Sequence, residues 1–518
     1  MSYLSTTQFL ATTALPVIIP LAVILLLAWR IVAKQRHFQA LQSLPSPPKN
    51  WLLGNIPMIL AAVKQKRFFQ LLFDWSRQYG SAYVYWAGDP VIVLSNPVTI
   101  DNTIINGTRD GSLIRSRTTS QAWNDISGPI LLGQSGAEWQ WRRKAWNPEF
   151  SSTGLSPYWE LVHQICSDVT DKIKQQTAIS LSRQESTAIA VDQLFVELTM
   201  RVICGLLLGL SDSDRQNSTN KPALDVAKIY KATAVISYRF LRVATGEQTW
   251  RKYLPTKSAR DYWNARADLE SFLAPYIDEV LQMRDNPQGS QSQDSSLKNS
   301  MLFKIAAKEP RYTKEYLMAE SVELLIAGTD TTAHTLSFAM GELASHREVF
   351  RKAQQLVDEV WQKYGGISLE SLKELNYLRA IIKEVLRLYS IASGSTGLQV
   401  VRPMQIESIT APVGTKIFWS MLAAGRDASI YENPEQFTPE RWLNEGSPSL
   451  PMIDFGSGAH RCLGENLSML EATIILAQLL RNFDWELVNG RSSLENLQQN
   501  LLIYPVDGMP LKFIPRHI

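Results

Sequence analysis

Cysteine is scarce in this chain of 518 residues. Its three copies, Cys166, Cys204 and Cys462, are too few for a disulfide framework or for a four-cysteine zinc site. Charge imbalance is missing too: a net charge of +3 argues neither for a nucleic-acid partner nor for an acidic one. No internal repeat recurs, and no low-complexity linker divides the chain into halves. What remains is ordinary globular composition, 45% hydrophobic and 19% charged, plus one long apolar segment.

That segment opens the chain. From Phe9 to Trp29 there is no charged residue, and about 20 apolar residues suffice to span a bilayer as a helix. Pro16 and Pro20 would kink such a helix, which membranes tolerate. Arg30, Lys34 and Arg36 follow the apolar core, so the positive-inside rule leaves the rest of the chain cytoplasmic. Positive charge behind the core, with no small-residue cleavage site after Trp29, sets a cleaved signal peptide aside. Leu44-Pro-Ser-Pro-Pro48 then reads as a stiff connector. The expected organisation is a membrane anchor over 1–36, a proline-rich hinge over 37–50 and one catalytic body over 51–518.

Within the body, Tyr83–Trp86 and Val91–Leu94 around Gly88 read as a hairpin. Helical periodicity then dominates from Glu138 to about Ser390, interrupted by polar surface loops at Ser211–Asn220 and Asn286–Ser300. A second β-rich patch covers about Gly397–Phe418 with Pro412-Val-Gly414 as its turn. The tail, Leu501–Phe513, alternates around Asp507-Gly508 as a final hairpin. The fold class is mainly α with a small β portion.

The most informative stretch is Phe455-Gly-Ser-Gly-Ala-His-Arg-Cys462-Leu-Gly464. One cysteine stands behind a glycine-rich turn and directly before a helical pattern, Leu467, Leu470, Ile474, Ala477 and Leu480. The positive end of a helix dipole and its unpaired N–H groups favour the thiolate that binds metal. Gly456, Gly458 and Gly464 let the backbone pass close to something flat and bulky. Haem with Cys462 as axial ligand meets both conditions. Cys204, inside the apolar run Val202–Leu210, reads as plain core.

A second spot is Ala327-Gly-Thr-Asp330-Thr331-Thr332, inside the helical pattern Leu317–Ala344. Glycine lowers helix propensity there and threonine hydroxyls compete for carbonyls, so the helix can open and admit water. An acid beside an alcohol can carry protons.

The Cys462 stretch resembles the haem loop of the cytochrome P-450 superfamily, F-G-x-G-x-(R or H)-x-C-x-G, and the resemblance extends in family order along most of the chain. Ala327–Thr332 is similar to the oxygen-binding motif, which implies that Thr331 hydrogen-bonds dioxygen during its activation while Asp330 helps relay protons. Glu384-Val-Leu-Arg387 and Arg441 in Pro439-Glu-Arg-Trp match the family's Glu–Arg–Arg triad, a structural support for the haem loop. A second pair of the same spacing, Glu348 and Arg351, lacks such a downstream partner and reads as a solvated helix pair. Trp139 and Arg143 match a helix whose Trp and Arg contact a haem propionate. His460 takes the place where most members have arginine, with Arg461 as a substitute, and Arg402 is a further propionate candidate. Phe455 begins the loop itself. Arg142 and Lys144 are expected to face outward, toward an acidic redox partner. Ser390–Gly397 lacks the family's usual prolines, which leaves the shape of the pocket open.

The resemblance implies haem b between the Asp330/Thr331 helix and the Cys462 loop. It also implies a monooxygenase that uses dioxygen on a hydrophobic small molecule. No nicotinamide or flavin fingerprint is present, so electrons would come from a separate NADPH reductase or ferredoxin system. Two alternatives are a haem-thiolate isomerase or dehydratase needing no reductase, and a non-catalytic haem sensor or transport protein. The intact Asp330-Thr331 pair argues against both. Ala327, Ile130, Leu131, Ile326, Ile391 and Val506 suggest an apolar pocket that terpenoids, sterols, fatty acids, or indole- and peptide-derived metabolites would fit. The expected location is a membrane, with the catalytic body cytoplasmic: the endoplasmic reticulum of a eukaryote or the inner face of a bacterial membrane.

Overall fold

In the computed structural model the described residues are 19, 21–23, 25–26, 29–182, 188–210, 221–287, 295–394, 397–443 and 451–517. Strands β1 (Ala82–Ala87) and β2 (Asp89–Leu94) form the expected hairpin, with Ala87 opposite Asp89 and Gly88 at φ +77° in the turn. With β3 (Leu113–Arg115), β4 (Leu398–Val400) and β5 (Lys416–Trp419) they make a five-stranded sheet in the order β1-β2-β5-β4-β3. Only the β2–β5 pairing is parallel. The β-rich patch also contains a small ladder of Met404–Ile406 with Ile409–Ala411.

The tail departs from the expected single hairpin. Leu497–Gln499 pairs with Ile503–Pro505, whereas Pro510–Pro515 pairs with Phe483–Leu487 and Ile189–Ala190. Asp507 accepts from Ser493, Asn489 and the Met509 N–H, and this side-chain anchoring turns the chain out of one sheet and into the other. Burial of Leu511 and Phe513 against the helical core completes the crossover.

Six helices position the site: α1 (Gly136–Trp146), α2 (Val191–Leu208), α3 (Val226–Ala244), α4 (Lys314–Ser345), α5 (Asn376–Tyr389) and α6 (Glu465–Asn482). Helix α4 runs through the core and is continuous across Ala327–Thr332, where local opening is expected from sequence. The hydroxyls explain the difference. Thr329 donates to the Leu325 carbonyl at 2.7 Å, Thr331 to Ala327 at 2.8 Å and Thr335 to Thr331 at 2.7 Å, so each alcohol is satisfied inside the helix. Gly328 permits a close crossing with α2: a Cβ there would stand 3.2 Å from Ile203 Cγ1. Thr199 of α2 donates to the Thr329 carbonyl at 3.0 Å beside that contact.

Most of the apolar N-terminal stretch lies outside the described residues. Residues 29–37 are helical, with Trp29, Ile31 and Val32 exposed. No helix among the described residues is long and apolar enough to cross a membrane. The proline-rich connector is docked against the body: Val84 N–H donates to the Pro45 carbonyl at 2.9 Å and the Asn55 amide to Pro48 at 2.9 Å. Of the two expected polar loops, Ser211–Asn220 falls outside the described residues from 211 to 220. The other contains a short helix, Ser295–Asn299.

Helix α5 carries the Glu384–Arg387 pair into the interior. Glu384 is fully buried and accepts five hydrogen bonds: Arg387 Nη2 at 2.7 Å and Nε at 2.9 Å, Arg441 Nε at 3.0 Å, the Thr438 N–H at 2.8 Å and Trp442 Nε1 at 2.9 Å. Arg387 spends its remaining donors on the Gly425, Pro434 and Gln436 carbonyls. Arg351, by contrast, is 63% exposed and pairs with Asp484 rather than with Glu348. Arg387→Ala should lower the unfolding free energy by about 3–5 kcal/mol, since it strands a buried carboxylate. Arg351→Ala should cost less than about 1 kcal/mol. Urea unfolding of both variants checks this, and equal losses would mean that the buried shell has no special weight.

Candidate active site

Cys462 closes a tight loop. Its N–H donates to the Phe455 carbonyl at 2.6 Å, and Gly456 and Gly458, at φ +76° and +59°, take backbone conformations that suit glycine. Helix α6 begins three residues later at Glu465, with Gly464 as its N-cap. The cysteine is closely surrounded by protein, yet its side chain keeps accessible surface. On balance, burial pushes the thiol pKa up, while the Gly464 N–H and the Arg143 guanidinium pull it down. The dipole argument from sequence therefore names a real contribution that desolvation outweighs until a cation binds the sulfur.

Around the loop stands a group of polar side chains with spare donors. Trp139 and His460 lie against each other with ring centroids 4.0 Å apart. Arg143 donates through Nη2 to the Arg461 carbonyl at 2.6 Å, which fastens α1 to the loop. Arg143 Nε, His460 Nδ1 and Arg115 Nε are buried and have no hydrogen-bond partner among the described residues. Burial, with the charges of Arg115 and Arg143, pushes the His460 pKa down to about 3, so the ring is neutral. Arg461 turns to Glu465 at 2.5 Å and is engaged there. Sequence reasoning missed Arg115. It ends β3, is buried, and its pKa is pushed down to about 10 by that burial. Its only sequence signal is a charge in a short β-prone run. Arg402 is placed differently from the expectation: it is exposed, beside Gly111 and Asp110, because the chain leaves β4 for the surface there.

A cavity of about 620 Å³ adjoins this region. Ile326, Ala327 and Thr331 of α4 line it, as do Trp123 and Phe240, which stack at 3.8 Å. Of the other residues expected to line it, Ile130, Leu131, Ile391 and Val506 are not in its wall, but the adjacent Leu132 and Ala392 are. Asp330 points elsewhere: it accepts from Tyr230 of α3 and lies near His334, and its Oδ1 is buried without a partner among the described residues. Burial raises the Asp330 pKa against the opposing pull of His334 and Tyr230. His334 is bonded to Asp192 at 2.8 Å, and Ser337 donates to the same oxygen at 2.7 Å. Thr331 and Asp330 are thus neighbours in sequence that face a cavity and a polar network respectively.

The cytochrome P450 family profile matches residues 44–513. Among similar proteins, cytochrome P450 71B26 of Arabidopsis thaliana is 25% identical over 88% of this chain and 89% of its own length. Costunolide synthase of Cichorium intybus is 26% identical, covering 86% and 87% respectively. Cytochrome P450 4V2 of Mus musculus is 24% identical over 94% and 92%.

One sequence expectation is overturned. Arg142 does not face outward; it is fully buried against α4. It pairs with Glu320 at 2.5 Å, donates to the Pro129 carbonyl and lies over the Tyr316 ring. Trp146 Nε1 donates to the other Glu320 oxygen at 2.5 Å. Helical spacing puts Arg142 and Trp146 on one face, and that face meets an acid. Lys144 is exposed as expected. Arg142→Ala should therefore lower the unfolding free energy by about 3–5 kcal/mol, and Lys144→Ala should stay within about 0.5 kcal/mol of the parent. A destabilised Lys144 variant or a neutral Arg142 variant, by urea titration, would contradict this account.

Proposed function

Since the chain belongs to the cytochrome P450 family, whose members bind haem through a cysteine thiolate, and is a haem-thiolate monooxygenase, we propose which of its residues do the work. The carrying observation is Cys462, with an accessible side chain, in a loop beside three buried nitrogens that lack partners among the described residues. Those residues fit the group. Cys462 would hold the iron, and Arg115, Arg143 and His460 have spare nitrogens for two propionates, with Trp139 packed against His460 to hold its ring. When bound, haem supplies the redox chemistry that activates dioxygen.

The chain's own residues supply position and protons. Thr331 lines the cavity with a hydroxyl that donates to Ala327 and can rotate toward it. Asp330, its pKa raised by burial, accepts from Tyr230 and stands near the His334–Asp192 pair, a route by which a proton can reach α4. The Glu384 shell holds the loop's flank: Ser390, at the end of α5, donates to Asp454 at 3.2 Å, directly before Phe455. The largely apolar cavity suits a hydrophobic substrate such as a terpenoid, sterol, fatty acid or indole- or peptide-derived metabolite. Electrons come from a separate redox protein, NADPH reductase or ferredoxin system. The uncharged stretch Phe9–Trp29 and the exposed Trp29, Ile31 and Val32 support a membrane anchor over 1–36, with the catalytic body on the cytoplasmic face.

Cys462→Ser should abolish the red-shifted Soret band that thiolate ligation gives the ferrous–CO complex. Cys166→Ser and Cys204→Ser, at fully buried positions in the core, should keep it. A Cys462 variant that retains the band would remove the ligand assignment.

Thr331→Ala should separate electron consumption from product formation. With the hydroxyl gone, hydrogen peroxide should escape while the CO spectrum and substrate affinity stay near the parent. Loss of one proton-relay group typically costs about 10²–10⁴-fold, so product per NADPH should fall much further than NADPH oxidation. Peroxide and product quantified together in a reductase-coupled assay decide it, and unchanged coupling would take Thr331 out of oxygen activation.

A further inference from the structure

One indole in the cavity wall has no partner for its N–H. Trp123 sits on the short helix Arg117–Ser127, lines the cavity and is only 5% exposed. Its Nε1 is buried with no hydrogen-bond acceptor among the described residues. Other indoles show how this chain treats the same group elsewhere. Trp146 donates to Glu320 at 2.5 Å, Trp442 to Glu384 at 2.9 Å and Trp485 to the Met340 carbonyl at 2.9 Å. An indole nitrogen can only donate, and a buried donor left unanswered is a net loss to the fold. A phenylalanine would fill most of the same space without that loss, so packing explains the ring but not the nitrogen.

The ring is held from two sides. It stacks on Phe240 of α3, with centroids 3.8 Å apart and 24° between the planes. Gly133 approaches so closely that a Cβ there would stand 2.9 Å from the Trp123 Cβ, so the turn seats the residue only because it has no side chain. Thr119, one turn earlier on the same helix face, also lines the cavity. Its hydroxyl accepts from Ser116 at 2.9 Å and keeps its own proton to donate. The helix thus presents a fixed N–H and a neighbouring O–H along one edge. We propose that Trp123 is a substrate-recognition residue whose N–H donates to an oxygen of the bound molecule, and that the cavity takes an apolar compound carrying a neutral acceptor oxygen, such as a ketone, rather than a plain hydrocarbon. This rests on the haem-thiolate reading above and narrows it to a substrate class.

Solvation sets the size of the effect. A donor and an acceptor that are both hydrated gain little by exchanging water for each other. Here the N–H is already withdrawn among apolar neighbours in the wall, Leu132, Phe240 and Ile326, so an arriving oxygen relieves a loss the fold has already incurred. A ligand without such an oxygen fills the same volume and leaves the donor unanswered. Discrimination of this kind exceeds what an apolar wall achieves against a missing methylene, because a buried polar group is stranded by the wrong ligand. The stacked ring also limits where the oxygen can sit, so the N–H selects for its position in the molecule as well as for its presence.

The test uses the haem-loaded full chain with two probes of one shape, benzophenone and 1,1-diphenylethylene, in which a methylene group replaces the carbonyl oxygen. Binding is read by equilibrium dialysis, with each affinity referred to the probe's own partition from water into alkane. The bound ketone's carbonyl stretch is read by isotope-edited infrared spectroscopy. On that scale the parent should favour the ketone by at least about tenfold, and its carbonyl stretch should lie below the position found in alkane. Trp123→Phe keeps a ring against Phe240 and removes the donor. It should erase the preference, return the stretch toward its alkane position and leave the alkene within about twofold. Equal affinities in the parent, a preference that survives in Trp123→Phe, or an unshifted carbonyl would overturn the proposal. Should Trp123→Phe fail to load haem, the parent's preference and its infrared shift decide alone. A parent without the thiolate-type CO band would strike at the haem-thiolate reading, while a normal band over a cavity blind to the oxygen strikes only at Trp123.

Discussion

A single buried carboxylate constrains much of this protein. An anion taken fully out of water is tolerated only when every lone pair is answered, and Glu384 is answered five times from three segments. Arg387 comes from its own helix, Arg441 and Trp442 from the 439–442 turn, and the Thr438 N–H from the strand-like approach to it. None of these segments can shift alone without stranding a charge. The same helix ends at Ser390, in the left-handed region at φ +42°, and reaches Asp454 beside the cysteine loop. The position of Cys462 is thus inherited from the Glu384 shell, two connections away.

Helix α4 shows the same physics applied to different ends. Of the four largely buried acids it contributes, Glu320, Glu323 and Asp330 lie toward the site, Glu342 lies near its far end, and the first three are each handled in their own way. Glu320 is matched by a cation and an indole N–H, which makes it a clamp between α4 and α1. Glu323 receives only backbone N–H groups, which hold its position without cancelling its charge. Asp330 has Tyr230 and a nearby histidine, and one oxygen remains free. Stability asks for matching, and chemistry asks for incomplete matching. The gradient from Glu320 to Asp330 follows the approach to the cavity and the polar network.

Local patterns were legible in the sequence where one element sufficed to define them. The β1–β2 hairpin, the long helices and the cysteine loop all carry signals within about 20 residues of chain. The cysteine loop and the Glu384, Arg387 and Arg441 pattern were readable because residue type and order are tightly coupled there. Arg142 was misjudged because a basic run looks solvated until the acid opposite it is known, and Glu320 lies far away in sequence. The tail was misjudged for a related reason. Alternation gives a strand but not its partner, and the side-chain anchors on Asp507 redirect the chain between sheets.

Arg115 and Glu323 mark the limit of such reading. Neither stands out in its surroundings, since Arg117 follows Arg115 by two residues and Glu320 precedes Glu323 by three, and on sequence alone such charges are more often surface than site. Their meaning comes from what they lack among the described residues: Arg115 Nε has no acceptor, and Glu323 has no ion-pair partner. An unmet valence is a property of the assembled core, because it depends on which groups fail to arrive as well as on which do. Several unmet groups lie singly elsewhere among the described residues, such as Thr177 Oγ1 and Glu471 Oε2, but three gather in one place. Arg115, Arg143 and His460 gather beside Cys462, and Glu323 borders the cavity. Since an orphaned buried polar group costs about 1–3 kcal/mol, a cluster of them survives when something outside the chain repays that loss on binding, which is the physical sense in which this structure anticipates its ligands.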